Sequence, residues 1–145
     1  MVHDLYQEII LDHSKHPRNH HPMDNADRKA EGYNPLCGDK LKLFLKMDGD
    51  VVQDVSFVGS GCAISTASAS LMTESLKGKT RAEALKLLER FHELLTTDNP
   101  VTQELGKLVV FCGVREYPAR VKCATLAWHT LKSALNNAGE TVTTE

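Results

Sequence analysis

The pattern of apolar and polar positions divides the chain into one helix, a pair of strands and a helical remainder. Between residues 4 and 13 apolar side chains recur at helical spacing, which predicts a short amphipathic helix that ends before Pro17. From Lys40 onward the period becomes two, as far as a turn at Asp48-Gly49-Asp50. The alternation resumes between Val51 and Phe57, so the sequence predicts an antiparallel hairpin.

Helical signals follow the hairpin. Gly59-Ser60-Gly61 interrupts the second strand, and we expect a short third strand after this interruption. Small and apolar residues after Cys62 share one helical face, and Gly78 is placed as the C-cap of that helix. The segment Thr80-Arg81-Ala82-Glu83 is a capping box, which predicts the start of the next helix.

Two more helices are predicted in the last third of the chain. Asp98-Asn99-Pro100 begins one of them, and we expect it to end at Gly113. Pro118 suits the first turn of the other helix, which carries Cys123 on the same face as several small residues. We expect the polar tail 140–145 to fray.

Between the first helix and the hairpin, residues 17–36 are rich in proline, asparagine and aspartate. This composition predicts a long polar loop. The chain shows no internal repeat and no linker. The order of its elements therefore predicts one α+β domain over residues 1–145, in which a small antiparallel three-stranded sheet packs against several helices.

Composition and charge exclude several classes of function. The 145 residues include 17 Lys and Arg against 19 Asp and Glu, a net charge of −2, with 41% hydrophobic residues. A chain without an excess of cationic residues lacks the positive charge that binds nucleic acid or anionic lipid. The first residues do not resemble a signal peptide, and no apolar stretch approaches the ~20 residues of a membrane span. We therefore expect a cytoplasmic protein with no nucleic-acid or membrane partner.

Four cysteines then become the most informative residues. Disulfides are rare in reducing cytosol, so metal ligands, reactive thiols or buried thiols are the alternatives. Cys37 lies in the polar loop, Cys62 begins a helix whose dipole lowers a thiol pKa, and Cys123 lies near the start of the last helix. Asp39 is on the same side of an extended chain as Cys37. Cys112 follows an apolar helix face, and we expect it in the core.

Three sulfurs and one carboxylate are enough ligands for a closed tetrahedral zinc site. Such a site carries excess negative charge, which Arg120 or Lys122 could balance. Arg120 is a candidate gate for ligand exchange, and the alternative is an arginine in solvent at a helix start. His129 falls nearly opposite Cys123 on a helix and is not expected to be a ligand. Four further histidines crowd one segment without the spacing of a helix-face pair: His13, His16, His20 and His21.

The chain also resembles a known family. Asn34-Pro35-Leu36-Cys37-Gly38-Asp39 before alternating strands, and Gly61-Cys62-Ala63-Ile64-Ser65 before a small-residue helix, are similar to motifs of the iron–sulfur cluster assembly family of IscU and NifU N-terminal domains. Two departures from the IscU scaffolds resemble the SufU branch. Lys122 stands where the scaffolds have a histidine, and extra residues, within about 90–117, separate the second and third motif cysteines.

The resemblance implies a function. SufU-type proteins bind zinc through the residues that match Cys37, Asp39, Cys62 and Cys123. They act as zinc-dependent sulfurtransferases, accepting persulfide sulfur from a SufS-type cysteine desulfurase and passing it to downstream cluster-assembly scaffold proteins. The desulfurase supplies a histidine that replaces the first cysteine on zinc, which implies that Cys37 is the persulfide acceptor. Whether such a carrier, which activates the desulfurase, counts as an enzyme stays open.

Two alternatives use the same ligands. In the first, the chain is a scaffold protein on which a transient [2Fe–2S] cluster is assembled, since iron–sulfur clusters also favour thiolates. In the second, zinc has a purely structural role and the domain recruits partners.

Overall fold

A computed structural model of the chain describes residues 2–98, 100, 102–136 and 141–143. Helices and strands occur in the order expected of an α+β protein, and that predicted class is confirmed. In chain order the elements are α1 Val2–Lys15, β1 Arg28–Asn34, β2 Asp39–Asp48, β3 Val51–Ser60, α2 Ala63–Leu76, α3 Arg81–Thr96, a 3₁₀ helix Gly106–Glu116, α4 Pro118–Leu135 and β4 Thr141–Thr143.

The sheet has the strand order β3-β2-β1-β4. β2 and β3 form the predicted antiparallel hairpin, and β1 pairs antiparallel with β2 on the other side. The predicted three-stranded antiparallel sheet is therefore confirmed. Its third strand, however, precedes the hairpin instead of following it. β3 continues to Ser60 and is followed directly by α2, so the predicted short strand after Gly59-Ser60-Gly61 is wrong.

β1 also corrects the predicted polar loop of residues 17–36. The buried positions of this strand are Ala30, Gly32 and Asn34, which carry small or polar side chains. Helix α4 crosses this strand so closely that a Cβ at Gly32 would overlap Thr130 Oγ1 and lie 3.0 Å from Leu126 Cδ1. Because that approach leaves no room for large apolar side chains, β1 lacks the alternation that marks β2 and β3.

The rest of this segment and the loop between α2 and α3 each cover part of an edge of the sheet. The Phe57 N–H of β3 donates to the Asn19 carbonyl oxygen at 3.0 Å, and the Val52 N–H donates to the Lys79 carbonyl oxygen at 2.8 Å. These bonds satisfy strand groups that would otherwise be open to pairing with another chain.

The helix predicted from Asp98-Asn99-Pro100 to Gly113 is a 3₁₀ helix with different bounds, and Gly113 lies inside it. Leu108, Phe111 and Val114 are buried at intervals of three, the 3₁₀ period. Over so few turns, an apolar pattern cannot distinguish this period of three residues from the 3.6-residue period of an α-helix. Asn99 lies outside the described residues. The predicted SufU-type insertion within 90–117 stays a prediction.

The C-terminal tail was expected to fray. Residues 141–143 instead pair parallel with residues 31–33 of β1, so the expectation is wrong for this part. Glu140, Thr144 and Glu145 lie outside the described residues.

Helix α4 is at the centre of the core. Its Trp128 ring stacks on Phe91 of α3 with centroids 4.6 Å apart, and Phe91 meets Phe111 of the 3₁₀ helix edge to face. Pro118 at the start of α4 and the capping box of α3 are as predicted. None of the helices within the described residues is long and apolar enough to cross a membrane. Because α4 packs on the sheet and on other helices, the side chains of its second turn are directed into a fixed interior.

Candidate metal centre

Strand ends and helix starts meet beside the sheet, where three of the four predicted ligands form one group and the fourth, Cys62, lies next to it. Cys37 lies on the turn between β1 and β2, Asp39 opens β2, Cys62 is the N-cap of α2, and Cys123 is in the second turn of α4. Ligand atoms of Cys37, Asp39 and Cys123 all lie within 4.8 Å of one another. The Cys62 Sγ atom stands beside this group, 4.0 Å from Asp39 Oδ2.

Asp39 is completely buried, and each of its carboxylate oxygens has a donor. The backbone N–H of Cys62 donates to Oδ1 at 2.8 Å, and the Asn34 side-chain amide donates to Oδ2 at 3.2 Å. Gly61 makes this packing possible, since a Cβ there would lie 2.5 Å from Oδ1. The donors to Asp39 among the described residues are neutral, so the carboxylate is oriented but its charge is not balanced.

Each thiol has a different environment. Cys62 Sγ accepts the Ser65 N–H at 3.4 Å, which places it at the positive end of the α2 dipole as predicted. The Cys123 thiol donates to Cys37 Sγ at 3.1 Å and is almost fully buried. Burial raises the pKa of the Cys123 thiol, and the hydrogen bonds to Cys37, Asp39 and Cys62 raise it further.

This donor set fits a metal ion. Soft thiolates with one carboxylate match the ligands of zinc and of iron–sulfur clusters. Burial disfavours the charged form of the Cys123 thiol, and a divalent cation beside it would favour that form.

The three cysteine ligands differ in how far they are exposed to solvent. Cys37 is exposed, Cys62 is half-buried, and Cys123 is buried. A cavity of about 760 Å³ reaches all three sulfurs between α1, the 3₁₀ helix and the start of α4. Its wall is largely apolar, with Tyr6 and Ile10 on one side. Three large apolar side chains near the thiols are exposed. Leu11 and Tyr117 line the cavity, and Leu36 precedes Cys37 in the chain.

Arg120 lines the same cavity. Its guanidinium carbon lies 4.6 Å from the centre of the Tyr117 ring, a cation–π distance. Its part as a gate stays a prediction. Cys112, the remaining cysteine, is half-buried, packs against the core and is not part of the ligand group.

The histidines whose side chains the structure describes lie outside this ligand group. His13 is buried between α1 and α2, with Nδ1 2.7 Å from Ser70 Oγ and Nε2 3.5 Å from Glu74 Oε1. Burial lowers the pKa of His13. The ring of His129 faces that of His92, with centroids 6.3 Å apart.

Asn34 is the site residue that reasoning from residue chemistry did not identify. Its side chain is fully buried and donates to Asp39 Oδ2 and, at 3.5 Å, to Cys123 Sγ. Asparagine before proline is common in turns, so the residue type of Asn34 did not indicate a role at the metal centre. Only the strand pairing could have identified it, because Asn34 lies opposite Asp39 in the register of β1 and β2.

Comparisons with known proteins place the chain among relatives. Residues 5–137 match the NifU-like N terminal domain. The chain is 42% identical over 135 residues to "Iron-sulfur cluster assembly scaffold protein IscU" of Streptococcus pyogenes, covering 92% of this chain and 84% of the relative. It is 41% identical over 132 residues to "Zinc-dependent sulfurtransferase SufU" of Bacillus subtilis, covering 90% and 89%.

Solved structures of related proteins have the same fold as this chain. A SufU from Fervidobacterium islandicum, described as a cluster assembly scaffold for the SUF system, superposes with a TM-score of 0.86 at 41% identity, covering 92% of this chain and 98% of that one. The N-terminal part of a NifU-like protein from Brucella abortus shares the fold at 24% identity, with a TM-score of 0.84 and coverage of 92% and 94%. The predicted resemblance is thus confirmed, and the chain belongs to the family of NifU-like N-terminal domains, with relatives of both the IscU and the SufU type.

Proposed function

We propose that this chain is a zinc-dependent sulfur acceptor and carrier in iron–sulfur cluster assembly. It takes persulfide sulfur from a SufS-type cysteine desulfurase and passes it to downstream scaffold proteins. The observation that carries the proposal is the pairing of an exposed thiol, Cys37, with the buried thiol of Cys123 at 3.1 Å. The name of the Bacillus subtilis relative supports the same reaction class.

Cys37, Asp39, Cys62 and Cys123 would hold the zinc ion. When bound, zinc keeps thiols deprotonated at neutral pH. Asp39 is held by hydrogen bonds at both oxygens, and packed helices carry Cys62 and Cys123. Cys37 lies on an exposed turn, so it is the ligand whose departure disturbs the fold least.

The exchanging thiol performs the chemistry. The Cys37 thiolate attacks the outer sulfur of the desulfurase persulfide, as in thiol–disulfide exchange. A new S–S bond forms on Cys37 while the S–S bond on the desulfurase breaks, and the cysteine of the desulfurase leaves as a thiolate. Cys37 supplies the electron pair of the new bond, and the pair of the broken bond leaves with the desulfurase thiolate. The transferred sulfur keeps its oxidation level, so no external oxidant or reductant is needed. Arg120 lines the cavity, and in this proposal its cation would pair with the negative charge of the Cys37 thiolate when that thiolate leaves the metal.

An alanine-release assay with a SufS-type desulfurase, with and without this protein, tests the proposal. The zinc-loaded chain should stimulate the desulfurase, and Cys37→Ala should abolish this stimulation. Cys112→Ala is the matched control, because Cys112 lies outside the ligand group, and it should stimulate normally. Full stimulation by Cys37→Ala would refute the assignment. No stimulation by the parent would favour a structural zinc domain.

A second candidate function is a scaffold for [2Fe–2S] assembly. The name of the Streptococcus pyogenes relative favours it, and the three thiols suit a cluster equally well. Metal analysis of the purified protein separates the two. Zinc near one equivalent in a colourless protein supports the sulfur carrier, whereas a brown protein with iron and sulfide supports the scaffold.

A further inference from the structure

Asn34 is a buried polar side chain that has no part in the reaction described above. It ends β1 and has no exposed surface. Its amide nitrogen donates two hydrogen bonds, but its Oδ1 atom has no partner among the described residues. A buried acceptor without a partner costs free energy. Stability of the fold is therefore a poor explanation for an asparagine at this position.

The two hydrogen bonds single out two of the four ligands. Asn34 Nδ2 lies 3.2 Å from Asp39 Oδ2 and 3.5 Å from Cys123 Sγ, so one amide connects the β1–β2 end to helix α4. The other Asp39 oxygen is held by Cys62 N–H. Among the described residues, Cys37 Sγ has a hydrogen bond to Cys123 and none to Asn34.

The chemistry of the amide suits this position. Asp39 and Cys123 both present acceptors when ionised, and an amide NH₂ group offers two donors to them. A lysine or arginine here would compete with a metal ion for the same two ligands. An aliphatic side chain would leave both ligands without this donor, and their orientation would then depend on backbone packing alone.

We infer that Asn34 is a positioning residue: it holds Asp39 and Cys123 in the geometry of retained metal ligands, so that Cys37 is the sulfur that exchanges. The inference rests on the proposed function in that it names which ligand leaves. Groups that hydrogen-bond to metal ligands orient them, and replacing such groups typically lowers metal affinity by about 10- to 100-fold.

The test uses Asn34→Leu, which has nearly the shape of asparagine, and Asn34→Ala as a second variant. Thr125→Val is the matched control, because Thr125 is a buried polar residue of α4 that bonds to helix carbonyls and not to the ligands. Zinc affinity is measured by chelator competition. Iodoacetamide alkylation of the zinc-loaded proteins, mapped by mass spectrometry, gives the ratio of modification at Cys37 to that at Cys123.

The parent and Thr125→Val should be alkylated at Cys37 well before Cys123. Asn34→Leu and Asn34→Ala should bind zinc about 10- to 100-fold more weakly and show a several-fold smaller ratio. Unchanged affinity and ratio in folded variants would overturn the inference, because burial alone would then explain the selectivity. Failure of both variants to fold would also overturn it, since Asn34 would then serve the fold.

The outcome is separable from that of the proposed function. If the parent binds zinc but accepts no sulfur, the proposed function fails while the affinity and alkylation results still decide the role of Asn34. If sulfur uptake at Cys37 is normal and the Asn34 variants match the parent, only the inference about Asn34 fails.

Discussion

The Sγ atoms of Cys37 and Cys123 lie 3.1 Å apart, although the two residues are separated by 86 positions in the chain. Cys37 is exposed on a turn, whereas Cys123 is carried on a central helix and is 2% exposed. The fold thus gives two identical groups opposite surroundings. This asymmetry is the physical basis for one exchanging sulfur and one retained sulfur at the same centre.

Gly61→Ala should weaken metal binding by displacing Asp39. The added Cβ would lie 2.5 Å from Oδ1 and 3.1 Å from Cγ of a carboxylate that two donors hold in place. We expect zinc affinity to fall by about tenfold or more in a chelator competition. Gly113→Ala is the control, because its Cβ would meet nothing within 4 Å, and it should bind zinc like the parent. Equal affinity of Gly61→Ala and the parent would count against Asp39 as a ligand.

How far the site could be predicted depends on the residue type. The chemistry and motif positions of four residues are unusual, and these residues were predicted: Cys37, Asp39, Cys62 and Cys123. The structure groups Cys37, Asp39 and Cys123, with Cys62 next to them. Asn34 did not, since its role follows from the register that places it opposite Asp39. A side chain that acts through its neighbours becomes visible only when those neighbours are located in space.

Leu36→Lys should weaken docking of the desulfurase without disturbing the metal centre. Leu36 is 63% exposed and precedes Cys37, so a partner that reaches this thiol must come close to it. A loss of ~1.4 kcal/mol in partner affinity would raise the half-saturating concentration in the desulfurase assay about tenfold. Zinc content and melting temperature should stay unchanged. Gln53→Lys, at an exposed position of β3, should behave like the parent.

A substitution at Leu36 that leaves half-saturation unchanged would show that the partner approaches from another direction. In that case the largely apolar cavity wall along α1 and the 3₁₀ helix would be the next surface to test.

His13 should make the protein less stable as the pH falls. Burial lowers the pKa of His13, and the Arg18 cation lowers it further. Below the ordinary histidine pKa the unfolded chain therefore takes up a proton that the folded chain resists, so the free energy of unfolding decreases. Urea unfolding of zinc-saturated protein between about pH 7.5 and about pH 5.5 should show a smaller pH dependence for His13→Gln than for the parent.

Loss of zinc at low pH affects both proteins alike and cancels in this comparison. His16→Gln, at an exposed position after α1, is the control and should keep the pH dependence of the parent. If the free energy of unfolding of His13→Gln keeps the full pH dependence of the parent, burial does not lower the pKa of His13 in the folded protein.

The fold was predictable where side chains alternate or where a cap is present. The β2–β3 hairpin and the Thr80–Glu83 capping box follow from local chemistry. β1 was missed because α4 passes close to it and allows only small or polar residues at its buried positions. That constraint comes from an element about a hundred residues later in the chain, so no local pattern could reveal it.

The position of the transferred sulfur decides which cysteine is the acceptor. The zinc-loaded chain is incubated with a SufS-type desulfurase and cysteine, free thiols are blocked, and peptides containing Cys37, Cys62, Cys112 and Cys123 are analysed by mass spectrometry. If Cys37 is the persulfide acceptor, the Cys37 peptide alone should gain the mass of one sulfur atom. Added sulfur on Cys62, Cys112 or Cys123, or on no cysteine at all, would rule out Cys37 as the acceptor.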